Sequence, residues 1–234
     1  MSDILRIIQE RHSARMPYDP EHRITRQDLQ QILEAGRWAP TAHNMQDFEI
    51  IVVDDRKILE EIGNIKSTIS EVFIQENFQL LSFSEEELLQ KKVGLLGSMF
   101  PASWRTPGVK PVAEEGRSRP FLVCPTLLIA LYDPGKRAPA SQGDFLGIMS
   151  LGCMMENLWL TANSLGIDFQ IVSSLASGMV GKEVKRILGI PAHLNIAFTA
   201  RLGYITGEPR RYLRVRRDIE DFSHHNHFGD KGID

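Results

Sequence analysis

Residues 144–172 read DFLGIMSLGCMMENLWLTANSLGIDFQIV, and the change of period inside that run decides the fold. Phe145, Ile148, Met149, Met155, Leu158, Trp159 and Ala162 recur at helical spacing, which predicts a long helix over about 144–165. Gly166 stands just past its end, where helices commonly close on a left-handed residue. Ile167 to Val172 then predicts a strand with almost no connection between the two. On the N-terminal side, Thr126 to Tyr132 is a continuous apolar run and reads as a buried strand, and Phe48 to Val53 as another, closed by Asp54-Asp55. On the C-terminal side, Val180 to Leu188 predicts a helix stopped by Gly189 and Pro191, followed by a strand from Asn195 to Tyr204.

Shorter signals complete the chain. Ile4, Leu5, Ile7 and Ile8 predict an opening helix that ends near Arg11. Thr25 followed by Asp28 is a helix-start signal ahead of Leu29, Ile32 and Leu33, and Gly36 is expected to cap that helix. Ile58, Leu59 and Ile62 form a helical stripe ending at Gly63. Residues 64–96 read as helical in two pieces, the second begun by Ser84 with Glu87 as a capping box. Residues 101–120 hold four prolines and read as an irregular surface segment. Four strands, long helices and no regular βαβ alternation point to an α+β fold with one sheet covered by helices on both faces. No internal repeat or flexible linker divides residues 1–234, so a single domain is expected.

Of the 234 residues 42% are hydrophobic and 24% charged, with a formal net charge of −3, a composition ordinary for a globular protein. That balance gives no reason to expect a nucleic-acid partner. The two cysteines, Cys124 and Cys153, have no CxxC spacing and fit a reducing compartment. The N-terminus is amphipathic rather than a secretory leader, and no window approaches 18 uninterrupted apolar residues. A cytoplasmic protein without a membrane partner is therefore expected. No GxGxxG run, GxSxG elbow or HExxH pair is present, and Gly181-Lys182 lacks the hydroxyl residue and first glycine of a phosphate-binding loop. His224, His225 and His227 read as a solvated tail, so no metal site is assigned.

Three clusters carry chemistry. Arg11-His12-Ser13-Ala14-Arg15 puts two guanidiniums, an imidazole and a hydroxyl at the end of the first helix, a set suited to bidentate phosphate binding. Pro40-Thr41-Ala42-His43-Asn44-Met45-Gln46 precedes the strand at Phe48 and offers a hydroxyl and two amides, donors and acceptors for a flat heterocycle with a uracil-like edge. Arg210-Arg211-Tyr212-Leu213-Arg214-Val215-Arg216-Arg217 alternates apolar and basic residues over 213–216, which predicts an extended stretch with one arginine face within the basic, then histidine-rich tail 207–234.

Together these motifs resemble the nitroreductase family of FMN enzymes. The Arg-His-Ser-x-Arg run is similar to the family's phosphate and ring-edge motif. Pro40 to Gln46 resembles its Pro-Ser-x-x-Asn-x-Gln loop, and Asn157 to Gly166 its central helix ending in Leu-Gly. Leu188-Gly189-Ile190-Pro191 and Leu202-Gly203-Tyr204, followed by basic residues, are similar to its C-terminal third. The resemblance implies a mostly antiparallel sheet in a homodimer. It implies that Arg11, His12, Arg214 and Arg216 hold the FMN phosphate with Ser13 close by, and that Arg15 lies near the N1–C2 carbonyl edge of the ring. It further implies that Pro40, Thr41, Ala42, Asn44 and Gln46 form a loop whose Thr41, Ala42 and Asn44 reach the flavin from the partner subunit, with the central helix forming much of the interface. Asp47 stands where the family usually has proline and Phe48 where it often has tryptophan. Residues 64–119 are long and divergent, and are expected to shape the substrate pocket.

The implied activity is hydride transfer from NADH or NADPH to flavin N5 and on to an electron-poor small molecule by ping-pong kinetics, with no protein nucleophile or base. Other flavin chemistry within the family, a protein that stores or senses FMN without turnover, and a phosphate-binding module without flavin are the alternatives. An absorption spectrum and an NADPH-oxidation assay separate them.

Overall fold

The computed structural model describes residues 3–66, 71–97, 105–106, 124–141, 143–176, 178–207 and 213–231. They fall into two compact units, one of residues 1–67 and 116–209 and the other of residues 68–115 and 210–234. The first unit is built on a four-stranded sheet. Its strands are β1 (Phe48–Val53), β4 (Thr126–Tyr132), β5 (Asp168–Ile171) and β6 (Asn195–Gly203), in the order β1-β4-β6-β5. Every neighbouring pair is antiparallel, with Phe48 opposite Tyr132, Leu128 opposite Ala200 and Gln170 opposite Arg201.

β4 is apolar throughout because both of its faces are covered. Leu127, Ile129 and Leu131 point into one cluster with Val53, Ile62 and Val184; Leu128 and Ala130 point into another with Ile32, Met154 and Leu158. The first cluster is roofed by α3 (Arg56–Gly63) and α7 (Gly178–Ile187), the second by α2 (Arg26–Arg37) and α6 (Phe145–Ser164). Helices therefore lie on both faces, as an α+β sheet of this composition requires.

α1 (Asp3–Glu10) opens the chain. α2 starts as its sequence predicts: Thr25 Oγ1 accepts from the Asp28 amide at 3.1 Å. Its end differs from expectation. Gly36 does not cap the helix, which continues to Arg37; it lies instead against α6, where an added Cβ would stand 2.8 Å from Leu158 Cδ2. The glycine is there for close helix approach, a requirement that a capping rule cannot see. Gly166 does close α6, at φ +73°: its amide donates to Asn163 O at 3.1 Å and the Ile167 amide to Ala162 O at 2.9 Å. That pair of bonds is the Schellman closure, and it turns the chain straight into β5. By length and composition α6 could cross a membrane. In the fold its Met154, Leu158 and Ala162 are instead fully buried on the sheet.

The second unit contains α4 (Glu71–Ile74), a π-helical turn at 75–80, β2 (Ser82–Phe83), α5 (Glu85–Lys91), β3 (Leu95–Leu96) and α8 (Ile219–Phe222). The expected capping box is present, with Ser84 and Glu87 exchanging bonds of 2.8 and 3.2 Å. The reading of 64–96 as purely helical is corrected: β2 and β3 pair in parallel on either side of α5. Lys92 reaches Asp218 and Asp221 (3.1 Å to the latter), tying the start of α8 to the end of α5. Of the segment 101–120 only residues 105 and 106 are described; the rest, like residues 208–212, lie outside the described residues.

Candidate functional site

α6 is apolar on nearly every side, so its few polar residues are informative. Three of them, Ser150, Glu156 and Asn163, are bonded to segments that the sequence singles out. Ser150 Oγ accepts from the Ala42 amide at 3.0 Å while donating to Leu146 O at 2.8 Å. Glu156 pairs with Arg11 Nε at 3.0 Å. Asn157 donates to Ala35 O at 3.0 Å, and Asn163 accepts from the His12 amide at 3.2 Å. Trp159 adds a bond from its indole N–H to His12 O at 3.0 Å.

Residues 11–15 leave α1 as an irregular strip across α6 and the β5 edge. The Arg11 guanidinium stacks over Trp159, 4.4 Å from the ring centroid, which aims it and removes much of its water. His12 turns to β5, its Nε2 3.3 Å from Asp168 Oδ1. Asp168 is itself held by the Ile205 amide at 3.0 Å. Ser13 is half-buried, Ala14 buried and Arg15 exposed. Ala14 N–H donates to Phe169 O at 3.1 Å, which fastens the strip to β5.

The loop after α2 is fixed by its own side chains. Thr41 Oγ1 accepts from the Gln46 amide at 3.2 Å, and Gln46 Nε2 donates to Asn44 Oδ1 at 3.1 Å. His43, Asn44 and Gln46 have φ of 51°, 54° and 48°. Three left-handed non-glycine residues within four positions cost conformational energy, and such strain gathers where backbone groups must be aimed. Beside the loop is a small cleft lined by Ala42, Met45, Asp47, Tyr132, Arg137 and Asp144, with Arg137 Nε 3.0 Å from Asp144 Oδ1.

The two segments hang on different sides of α6. With 3.6 residues per turn, Glu156, Trp159 and Asn163 lie roughly 180–240° around the axis from Ser150, and Glu156 is about 9 Å further along it. The structure thus brings Arg11, His12 and Ser13 together, and Thr41 to Gln46 together, but keeps the two groups apart within one chain. Arg214 and Arg216 belong to the second unit. Both are exposed while Leu213 and Val215 are half-buried, the alternation their sequence predicts.

Sequence reasoning passed over Ser150, Glu156, Trp159, Asn163 and Asp168. For the first four a signal existed: polar or indole groups in an otherwise apolar helix need partners. Asp168 had none, since an acidic residue at a strand start reads as solvated.

The donor set fits a flavin phosphate and ring. Arg11 and Ser13 offer a fork and a hydroxyl for a phosphomonoester. Arg15 is an exposed cation that could meet an anionic ring edge, and the loop carries amide donors and acceptors that could meet a heterocycle.

Comparison with known proteins gives the family and the fold. A sequence model of the nitroreductase family matches residues 8–204. The chain is 20% identical over 229 residues to an NADPH-dependent oxidoreductase of Staphylococcus aureus, covering 97% of this chain and 75% of that protein. An FMN-bound nitroreductase of Bacteroides fragilis superposes with a TM-score of 0.61 at 23% identity, over 92% of this chain and 96% of the other. One from Desulfitobacterium hafniense, also with bound FMN, superposes with a TM-score of 0.57 at 21% identity, over 97% and 100% of the two chains. The chain belongs to the nitroreductase family.

Proposed function

We propose that this chain is a homodimeric, FMN-dependent oxidoreductase that draws reducing equivalents from NADH or NADPH and passes them to an electron-poor small molecule such as a nitroarene or quinone. The observation that carries this reading is the fastening of the two site segments to opposite sides of α6. One chain cannot close them around a single planar ligand, but a second copy can supply the missing half. α6 also offers a surface for that copy: Phe145, Ile148 and Met149 are 62%, 58% and 51% exposed, on the side of α6 that carries Arg11 about two to three turns further on. An apolar face of this kind marks an interaction site.

When bound, FMN supplies the hydride chemistry at its N5. The chain's residues bind and orient. Arg11, already stacked on Trp159, meets the phosphate with Ser13, and His12 lines that end of the site while paired to Asp168. Arg15 places its cation near the N1–C2 carbonyl edge. Thr41, Ala42 and Asn44 of the second copy face the ring, with Pro40 and Gln46 holding the loop in shape. Donor and acceptor use one stacking face in turn, so no protein nucleophile or base is needed and double-reciprocal plots should be parallel. The FMN bound by the two solved relatives and the NADPH dependence of the Staphylococcus aureus relative support the reading. Two free cysteines are compatible with a cytoplasmic setting.

The test is an absorption spectrum of the protein reconstituted with FMN, followed by NADH and NADPH oxidation with a nitroarene or quinone. A flavin spectrum with acceptor-dependent turnover supports the proposal. Bound flavin without turnover indicates an FMN-binding protein instead, and failure to retain FMN refutes the cofactor assignment.

A further inference from the structure

Arg201, on β6, is 2% exposed, the largest side chain so completely removed from solvent among the described residues. Along β6, Phe198, Ala200 and Leu202 face α6, so Thr199 and Arg201 face the opposite cluster, where a leucine would pack without desolvating a charge. The guanidinium is tied down in three directions. Its Nε donates to Oε1 of Gln170, directly opposite on β5, at 2.6 Å. Its Nη2 donates to Met16 O at 2.8 Å and to Ala14 O at 3.3 Å. Its flat face lies over Tyr18, 4.3 Å from the ring centroid.

Those two carbonyls bracket Arg15. Residues 14–17 belong to no helix or strand, so they have no ladder of their own to hold them. Neighbouring bonds pin the strip's ends: Ala14 N to Phe169 O, and Asp19 N to Tyr204 O at 2.8 Å. Between those ends Pro17 O accepts from the Thr206 amide at 2.9 Å and Ala14 O also accepts from Tyr18 Oη at 3.4 Å, but the stretch on either side of Arg15 is held from within the sheet by one planar fork, a geometry that lysine cannot reproduce.

We propose that Arg201 is a positioning residue, whose buried guanidinium clamps the carbonyls of Ala14 and Met16 and so fixes where Arg15 presents its charge to the flavin ring edge. This rests on the reading of Arg15 as the ring-edge cation. Arg201 itself touches neither the ring nor the substrate; its effect passes through a strip of backbone whose direction it sets.

The first test needs no flavin. In the Arg201→Lys apoprotein, amide hydrogen exchange across residues 11–19 should rise about tenfold while β4 keeps its protection, as for a local opening. Unchanged exchange there, or an equal rise in β4, overturns the clamp. Should the lysine variant fail to fold, nitrogen-15 NMR of the wild-type guanidinium decides: slowly exchanging N–H signals support the clamp, and rapidly exchanging ones overturn it.

The second test uses the FMN-loaded protein. Arg201→Lys should weaken the preference for reduced flavin about tenfold, a fall of about 30 mV in the two-electron midpoint potential. That fall should vanish when Arg15→Ala is already present. An equal fall in both backgrounds, or no change from Arg15→Ala alone, overturns the proposal. A wild-type protein that binds no FMN refutes the cofactor assignment and overturns the flavin half, while the exchange experiment still decides the clamp.

Discussion

Arg11→Ala should separate FMN from riboflavin. Arg11 Nε sits 3.0 Å from Glu156 Oε1, the guanidinium lies 4.4 Å from the Trp159 centroid, and the side chain is 23% exposed. The fork is thus aimed and partly dehydrated before a ligand arrives, and little side-chain freedom is lost on binding. A charge-assisted hydrogen bond from such a group contributes roughly 1.5–3 kcal/mol, so its loss should weaken FMN binding by about 10- to 150-fold. Removal of the cation also leaves the Glu156 carboxylate facing the phosphate, which pushes the loss toward the upper end. Glu156→Gln added to Arg11→Ala should recover part of it. The fold should change little, because a partly exposed ion pair contributes about 1 kcal/mol or less. Fluorescence titrations of the apoprotein with FMN and with riboflavin, at one ionic strength, provide the comparison. Riboflavin has the same ring and ribityl chain but no phosphate, so its affinity should stay near the wild-type value. Equal losses for the two ligands would refute the phosphate role and leave Arg11 as a structural partner of α6.

Arg15→Ala should lower the midpoint potential of bound FMN by tens of millivolts, about 30 mV for each tenfold change, and an unchanged or raised potential in a spectroelectrochemical titration would contradict the ring-edge role. Ile148→Glu should break the dimer, shifting the sedimentation coefficient to that of a monomer and releasing FMN; a monomeric wild-type protein that holds FMN tightly would sink the shared-site reading. Gly36→Ala should destabilise the fold by about 1–2 kcal/mol in a urea melt, because overlap with the buried Leu158 outweighs the helix-propensity gain, whereas Gly63→Ala, with open space around it, should be neutral or stabilising. Burial pushes the Cys124 thiol up to about 12, with the Arg201 charge opposing the shift. It should therefore stay unreactive toward a thiol reagent at pH 8 until denaturant is added. Because the unfolded thiol ionises at about 8.5 and the folded one only near 12, the native state should lose stability as pH rises through that window, a loss that should be smaller in Cys124→Ala, where the buried Tyr18 phenol, also raised by burial, still contributes above about pH 10.

The sequence by itself determined the long elements of the first unit and where the candidate polar clusters stand. Phe48–Val53 and Thr126–Tyr132 were legible to the residue, and α6 to within one at each end, because apolar runs of that length carry an unambiguous period and their ends carry turn residues. The Arg11–Arg15 and Thr41–Gln46 clusters were legible because several hydrogen-bonding and charged groups crowd into a few positions. The strands Ser82–Phe83 and Leu95–Leu96 were not, since two residues contain no period and their pairing spans α5. Gly36 was misassigned for a related reason. A glycine near a helix end satisfies the capping rule, and only Leu158, more than a hundred residues away, shows why no side chain fits there.

Tertiary structure alone decided which groups meet. Within β6 the run Asn195–Gly203 places Arg201 at a position that local pattern reads as facing solvent. It is buried because the strip from Ala14 to Tyr18 folds over it, and its charge is tolerated because that strip brings unladdered carbonyls to it. In the same way, nothing local to Ser150 or Glu156 says that one holds Ala42 and the other Arg11. Those partners lie over a hundred residues away, and it is the antiparallel sheet, by fixing where α2 and residues 11–15 cross α6, that sets the two candidate segments on different sides of one helix.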